Sequence, residues 1–164
     1  MGVTTVVAHQ LGDGGATTSA PMAAASPPAA GAGGVLRVGY GEVDGQHEVV
    51  TELVDALEWT VTSRSTRALQ QHALTDLTRY VRVHFAFEQS LMDTYDIANA
   101  DQHRTAHQKM LTWVSDVAAQ FAKGSLTITP SLIGEIRHWL EVHIATHDVP
   151  MARELLAKGV RSAM

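Results

Sequence analysis

LTRYVRVHFAFEQSLMDTY, residues 77–95, is the stretch whose periodicity decides the fold. Leu77, Tyr80, Val81, His84, Phe87, Glu88, Leu91 and Tyr95 recur at steps of three and four. On a helix of 3.6 residues per turn they share a face about 120° wide. That face is apolar except near its middle, where His84 and Glu88 stand one turn apart and can reach a common point. A buried stripe interrupted by one polar pair describes a helix packed against a polar centre.

Working upstream, VLRVGYGEVDGQHEVVTELVDALEWTV (35–61) starts as an extended arm and turns helical at about Asp44, whose carboxylate can cap the helix. His47, Val50, Val54, Leu57 and Val61 then fall on one stripe. Downstream, a third helix runs from about Ala100 to Lys123, with His103, His107, Met110, Val114, Val117 and Phe121 inward. Gly124 is its stop. TPSLIGEIRHWLEVHIATHDV (129–149) is the fourth, with Thr129 as cap and Pro130 at the first helical position. Its stripe is Leu132, Ile136, Trp139, Leu140 and His143; Pro150 is expected to close it, with MARELLAKGV (151–160) as a short terminal helix. The expectation is all-α: an antiparallel up-down four-helix bundle with an N-terminal extended arm and a short C-terminal helix.

Composition narrows the class. At 164 residues the chain holds one domain with a real core. Residues 1–34 are Ala/Gly/Pro/Ser-rich without periodicity and are expected to be a disordered extension, leaving residues 35–164 as the bundle. No cysteine is present, so thiolate zinc sites and iron–sulfur clusters are excluded. A net charge of −5 without a basic patch argues against a nucleic-acid partner. No apolar run approaches the roughly 20 residues of a membrane span. The first basic residue is Arg37, which argues against a secretory signal and for a cytoplasmic protein.

Nine histidines are the compositional outlier, and seven lie between His72 and His147. His84/Glu88 and His103/His107 have the four-residue spacing that lets both side chains reach one metal. With His47, His143 and Asp148 they deliver five imidazoles and two carboxylates from four helices to one place. Buried without a cation, several of those groups would be unsatisfied, each at about 1–3 kcal/mol. Imidazole and carboxylate without thiolate suit Fe, Mn, Zn or Cu. Seven ligands are too many for a lone zinc, which takes four. Two octahedral ions offer twelve positions: five histidines, two bridging carboxylates and one bridging oxygen fill eleven and leave one vacancy. Glu135 and His138 form one Glu-x-x-His pair, but the second pair and the further glutamates of carboxylate-rich di-iron bundles are missing. His9 lies in the N-terminal extension and His72 and His138 fall off their stripes, so all three are expected at the solvated surface. His147 repeats the four-residue spacing from His143, whereas Asp148 lies about 140° from His143 on an ideal helix. If the helix stays regular, His143 and His147 face the centre together and Asp148 faces away; a distortion before Pro150 would instead bring Asp148 inward and leave His147 an outer partner or solvent-exposed.

The stretches VGYGEVDGQH, YVRVHFAFEQSLM, HRTAHQKM and HWLEVHIATHD resemble a bacterial hemerythrin, over about residues 35 to 155. By that resemblance His47 and His84 would hold one iron, and His103, His107 and His143 the other. Glu88 and Asp148 would bridge them together with an oxo or hydroxo group. Dioxygen would bind end-on at the two-histidine iron. The chain departs from the family pattern at Gln89, at Tyr95-Asp96, and in VLRV, which lacks an aromatic residue. Trp59, Trp113, Trp139, Phe85 and Phe87 are expected in the core; Trp113 and Phe87 also flank the ligand faces, beside any oxygen pocket.

The function expected is reversible dioxygen binding for storage, delivery or sensing at a di-iron site, by a monomer that is not an enzyme. The competing expectations are a di-iron peroxidase, an oxidase of nitric oxide or ferrous iron, and a sensor module in which residues 1–34 transmit the signal.

Overall fold

The computed structural model describes residues 37–162; the extension expected at residues 1–34 lies outside them. Four long helices follow one another: α1 (Gly41–Thr62), α2 (Arg67–Thr94), α3 (Ala100–Lys123) and α4 (Pro130–His143). A π-helical turn, Ile144–Asp148, continues α4 directly into α5 (Val149–Ala157). Among the described residues there is no strand, and no helix is long and apolar enough to cross a membrane. Short connections make consecutive helices antiparallel, with α1 packed on both α2 and α4, and α3 on α2.

The helix ends follow from local chemistry. Thr66 accepts from the Leu69 N–H at 3.4 Å and Thr129 from the Leu132 N–H at 3.2 Å, each capping a helix start. Gly124 takes φ +81, a left-handed conformation that suits glycine at a helix stop. At the first helix the structure differs from the expectation. α1 begins at Gly41, not at Asp44. Asp44 sits within the first turn and reaches back, accepting N–H bonds from Val38 at 2.7 Å and Gly39 at 3.1 Å. Its carboxylate ties the arm onto the helix, where an anion also suits the helix N-terminus.

Pro150 does not end the fourth helix. It occupies the first turn of α5, after a wide turn closed by Val149 N–H to Ile144 O. In α geometry the proline ring would collide with the carbonyl four residues back, that of Thr146, and the π turn relieves this crowding. α5 then clasps the α2–α3 connection. Lys158 Nζ donates to Tyr95 O and Asp96 O at 2.6 and 2.7 Å, and Glu154 accepts from the Ala98 N–H at 3.0 Å.

Two apolar layers result. One gathers Val54, Leu57, Leu77, Val81, Phe121 and Ile136 in the body of the bundle. The other gathers Tyr40, Val43, Met92, Ile97, Met151 and Leu155 at the end where α1 begins and α5 docks. Between them lies the polar layer.

Candidate metal centre

Each of the four helices contributes to that layer at the same height. His47 comes early on α1, His84 and Glu88 late on α2, His103 and His107 early on α3, and His143 at the end of α4. Asp148 ends the π turn. The structure brings all seven together, none more than 3% exposed. The π turn explains how Asp148 arrives. At roughly 4.4 residues per turn, five steps leave it about 50° from His143, instead of about 140° on an α-helix.

The two carboxylates divide their oxygens between two sides. Glu88 Oε1 lies 3.7 Å from His84 Nε2, while Oε2 lies 3.5 Å from His103 Nε2 and 3.0 Å from His107 Nε2. Asp148 Oδ2 lies 3.2 Å from His47 Nε2, while Oδ1 lies 3.0 Å from His103 Nε2 and 3.1 Å from His143 Nε2. Two overlapping sets of donors result: His47, His84, Glu88 and Asp148, and Glu88, His103, His107, His143 and Asp148. All the donor atoms within a set lie within 4.8 Å of one another.

These contacts are close but not aligned. All four carboxylate oxygens are buried without a hydrogen bond, as are both nitrogens of His47. The Nε2 atoms of His103 and His107 approach His143 Nε2 at 3.2 and 3.0 Å, leaving at most one proton for each contact. Lone pairs that converge on a shared point without donors between them suit a cation, and a neutral imidazole and carboxylate set suits a divalent metal. The residues present therefore fit cations held by these two sets, with Glu88 and Asp148 common to both.

Charge in the metal-free cluster follows from burial and from these neighbours. Burial and the Asp148 charge push Glu88 up to about 7, against the pull of His103. Burial alone would also raise Asp148, but His103, His143 and His47 outweigh it and hold the carboxyl well below its ordinary value. His103 is lowered by burial, yet Asp148 and Glu88 beside it carry it up to about 9. Burial and His47 lower His84 to about 3, and burial and His103 lower His107 to about 2. His143 is lowered by burial, against the pull of Asp148.

The surroundings hold residues that sequence reasoning missed. His84 Nδ1 donates to Gln46 Oε1 at 3.0 Å, which leaves the Nε2 lone pair facing the centre. Gln46 adjoins His47 in the chain, and that adjacency was its only signal. Phe85 stacks on His107 at 3.7 Å and 10°, and Trp139 on His143 at 4.6 Å and 12°. A cavity of about 20 Å³ is lined by His47, His84, His143 and Asp148 of the cluster, with Thr51, Phe85, Leu140 and Ile144 around them. Phe87 and Trp113 do not wall it: Phe87 packs in the layer beneath α5, and Trp113 lines an outer groove with Trp139 and Val142. His72 and His138 are exposed as expected, while His9 lies outside the described residues. His147 is half-buried and stacks on His103, outside both donor sets.

A four-helix bundle that buries two overlapping imidazole and carboxylate sets is a histidine-rich cation-binding protein. The hemerythrin HHE cation-binding domain matches residues 38–152, and the chain belongs to the hemerythrin family. It is similar to the bacteriohemerythrin of Pseudomonas paraeruginosa, 26% identical over 113 residues spanning 69% of this chain and 72% of that protein. The bacteriohemerythrin of Methylococcus capsulatus is 29% identical over 110 residues, 66% of this chain and 82% of that one. A crystal structure of wild-type hemerythrin superposes with a TM-score of 0.65 at 26% identity, covering 67% of this chain and 84% of that one.

Proposed function

We propose that the chain binds dioxygen reversibly at a di-iron centre, as a binding protein and not an enzyme. His47 and His84 would hold one iron, His103, His107 and His143 the other, and Glu88 and Asp148 would bridge them. When bound, two ferrous ions supply the two electrons on which reversible dioxygen binding draws. The observation that carries this reading is the pair of overlapping imidazole and carboxylate sets, joined by a small cavity that His47, His84, His143 and Asp148 line together.

The protein's own part is to shape and dry that space. Val50, Phe85, Leu140 and Ile144 present apolar surface to the cavity. Thr51, its one hydroxyl, donates to His47 O at 2.9 Å. Apart from the proposed ligands, no acid or base lines it among the described residues, which supports binding over turnover. The Gln46 contact fixes the His84 ring beside the same space.

An absorption spectrum of the aerobic protein beside an iron assay tests the reading. Two irons per chain, near-ultraviolet oxo-bridge bands and a visible band that returns on each oxygenation of the reduced form are expected. One zinc per chain without an oxygen-dependent band would end it. The domain assignment belongs to the same proposal: removing residues 1–34 should leave iron content unchanged, because every proposed ligand lies at or beyond His47. Iron lost on truncation would refute that boundary. A cytoplasmic monomer completes the reading, and a solution mass of two chains would correct it.

A further inference from the structure

The proposed ligands are nearly closed off from solvent, so a hydrated cation must first meet a donor nearer the surface. On the three-histidine side one further imidazole lies against the ligands and is itself partly exposed. His147 is half-buried, its ring lying over His103 at 5.2 Å and 19° and beside His143 at 5.1 Å and 40°. The π turn sets it there. At roughly 4.4 residues per turn, a residue four steps from His143 lies about 30° to one side of it, while Asp148 lies to the other. The other described histidines outside the two donor sets are placed differently. His72 is exposed and pairs with Asp76 at 3.4 Å, and His138 lies on the outer groove.

We propose that His147 is the entry ligand of the centre, taking a hydrated divalent cation at the surface and passing it to His103 and His143. The inference rests on the di-metal reading above and names ferrous iron as the cargo. Its chemistry is ligand exchange. A neutral imidazole nitrogen replaces one water of the cation, and a nitrogen of His103 or His143 then replaces another. No electron moves, and the displaced waters leave by the route the cation entered.

A ring stacked on His103 could instead serve only to hold that ligand in place, so two variants are needed. His147→Ala removes both ring and nitrogens, whereas His147→Phe keeps a ring to stack on His103 and removes only the nitrogens. Anaerobic ferrous ion is mixed with the metal-free full chain, and uptake is followed by quenching of tryptophan fluorescence, since Trp139 stacks on His143. Final iron content is measured on each sample. The expected result is two irons in all three proteins, with uptake slowed roughly tenfold in both variants. Wild-type rates in His147→Phe would assign the residue to positioning and overturn the proposal. Unchanged rates in both variants would do the same, and loss of an iron at equilibrium would make His147 a resident ligand instead. Wild-type protein that takes up no pair of ions would overturn the di-metal reading itself.

Discussion

At the scale of single residues, Asp148 is the most exposed to test. Its two oxygens face opposite sides of the cluster, toward His47 on one and His103 and His143 on the other. Asp148→Ala should therefore cost both metal positions at once, and iron content should fall from two per chain to near zero. A variant that keeps both irons and the wild-type spectrum would place the bridge elsewhere. Phe85 tests the packing around the ligands. It is 2% exposed and lies flat on His107, so its removal leaves a cavity and frees that ring. Phe85→Ala should cost about 3–5 kcal/mol, read as a fall of roughly 6–20 °C in the thermal midpoint. A loss below about 1 kcal/mol would show that neighbouring side chains collapse into the space.

At the scale of elements, the pairs His84/Glu88 and His103/His107 were legible because four-residue spacing is fixed by the helix itself. The stops and caps at Gly124, Thr129 and Pro130 were legible for the same local reason. What escaped depends on partners. The buried stripe of α2 runs through Leu74, Leu77, Val81, Phe85 and Met92, rotated about 50° from the face read off the sequence. Which flank of a helix is covered is decided by the neighbours it packs between, and periodicity alone cannot fix it. That rotation puts Phe85 at the cavity, while Phe87 packs in the layer beneath α5. Asp44 was mistaken for a cap because its acceptors bond an arm whose path is tertiary. The break in the fourth helix could be inferred from the awkward spacing of Asp148, but its form, a continuous π turn, could not. One extra residue in that turn carries the five-step spacing. Deleting the exposed Ala145 should put His143 and Asp148 four apart, both still inward, with Pro150 bending the segment away from the Thr146 carbonyl. Iron content should hold at two per chain. Loss of iron with the helical signal intact would show that the π turn is itself needed to aim Asp148.

At the scale of the molecule, the polar layer makes folding depend on pH and on metal in opposite ways. In the metal-free protein His84 is lowered from 6.5 to about 3 and His107 from 6.5 to about 2, burial being the larger cause in each. Unfolding lets these imidazoles take up protons, so their contribution is complete above pH 6.5 and is lost as pH falls toward the folded values. Asp148, also depressed, adds to the acid loss below its ordinary 3.8. Glu88 and His103 act the other way. Raised from 4.5 to about 7 and from 6.5 to about 9, they hold protons in the folded state that the unfolded chain releases. Their contribution is complete below the ordinary values and disappears as pH rises through about 7 and then about 9. The two arms meet near pH 6.5, where the metal-free bundle should melt at its highest temperature. As the ligands proposed above, Glu88 must be ionised and His103 unprotonated to hold metal, so metal should remove the alkaline arm and raise the midpoint most at about pH 8–9. Thermal melts of both forms from pH 5 to 9 check this. A metal-free midpoint that climbs steadily across that range would mean that His103 and Glu88 do not hold their protons in the folded cluster.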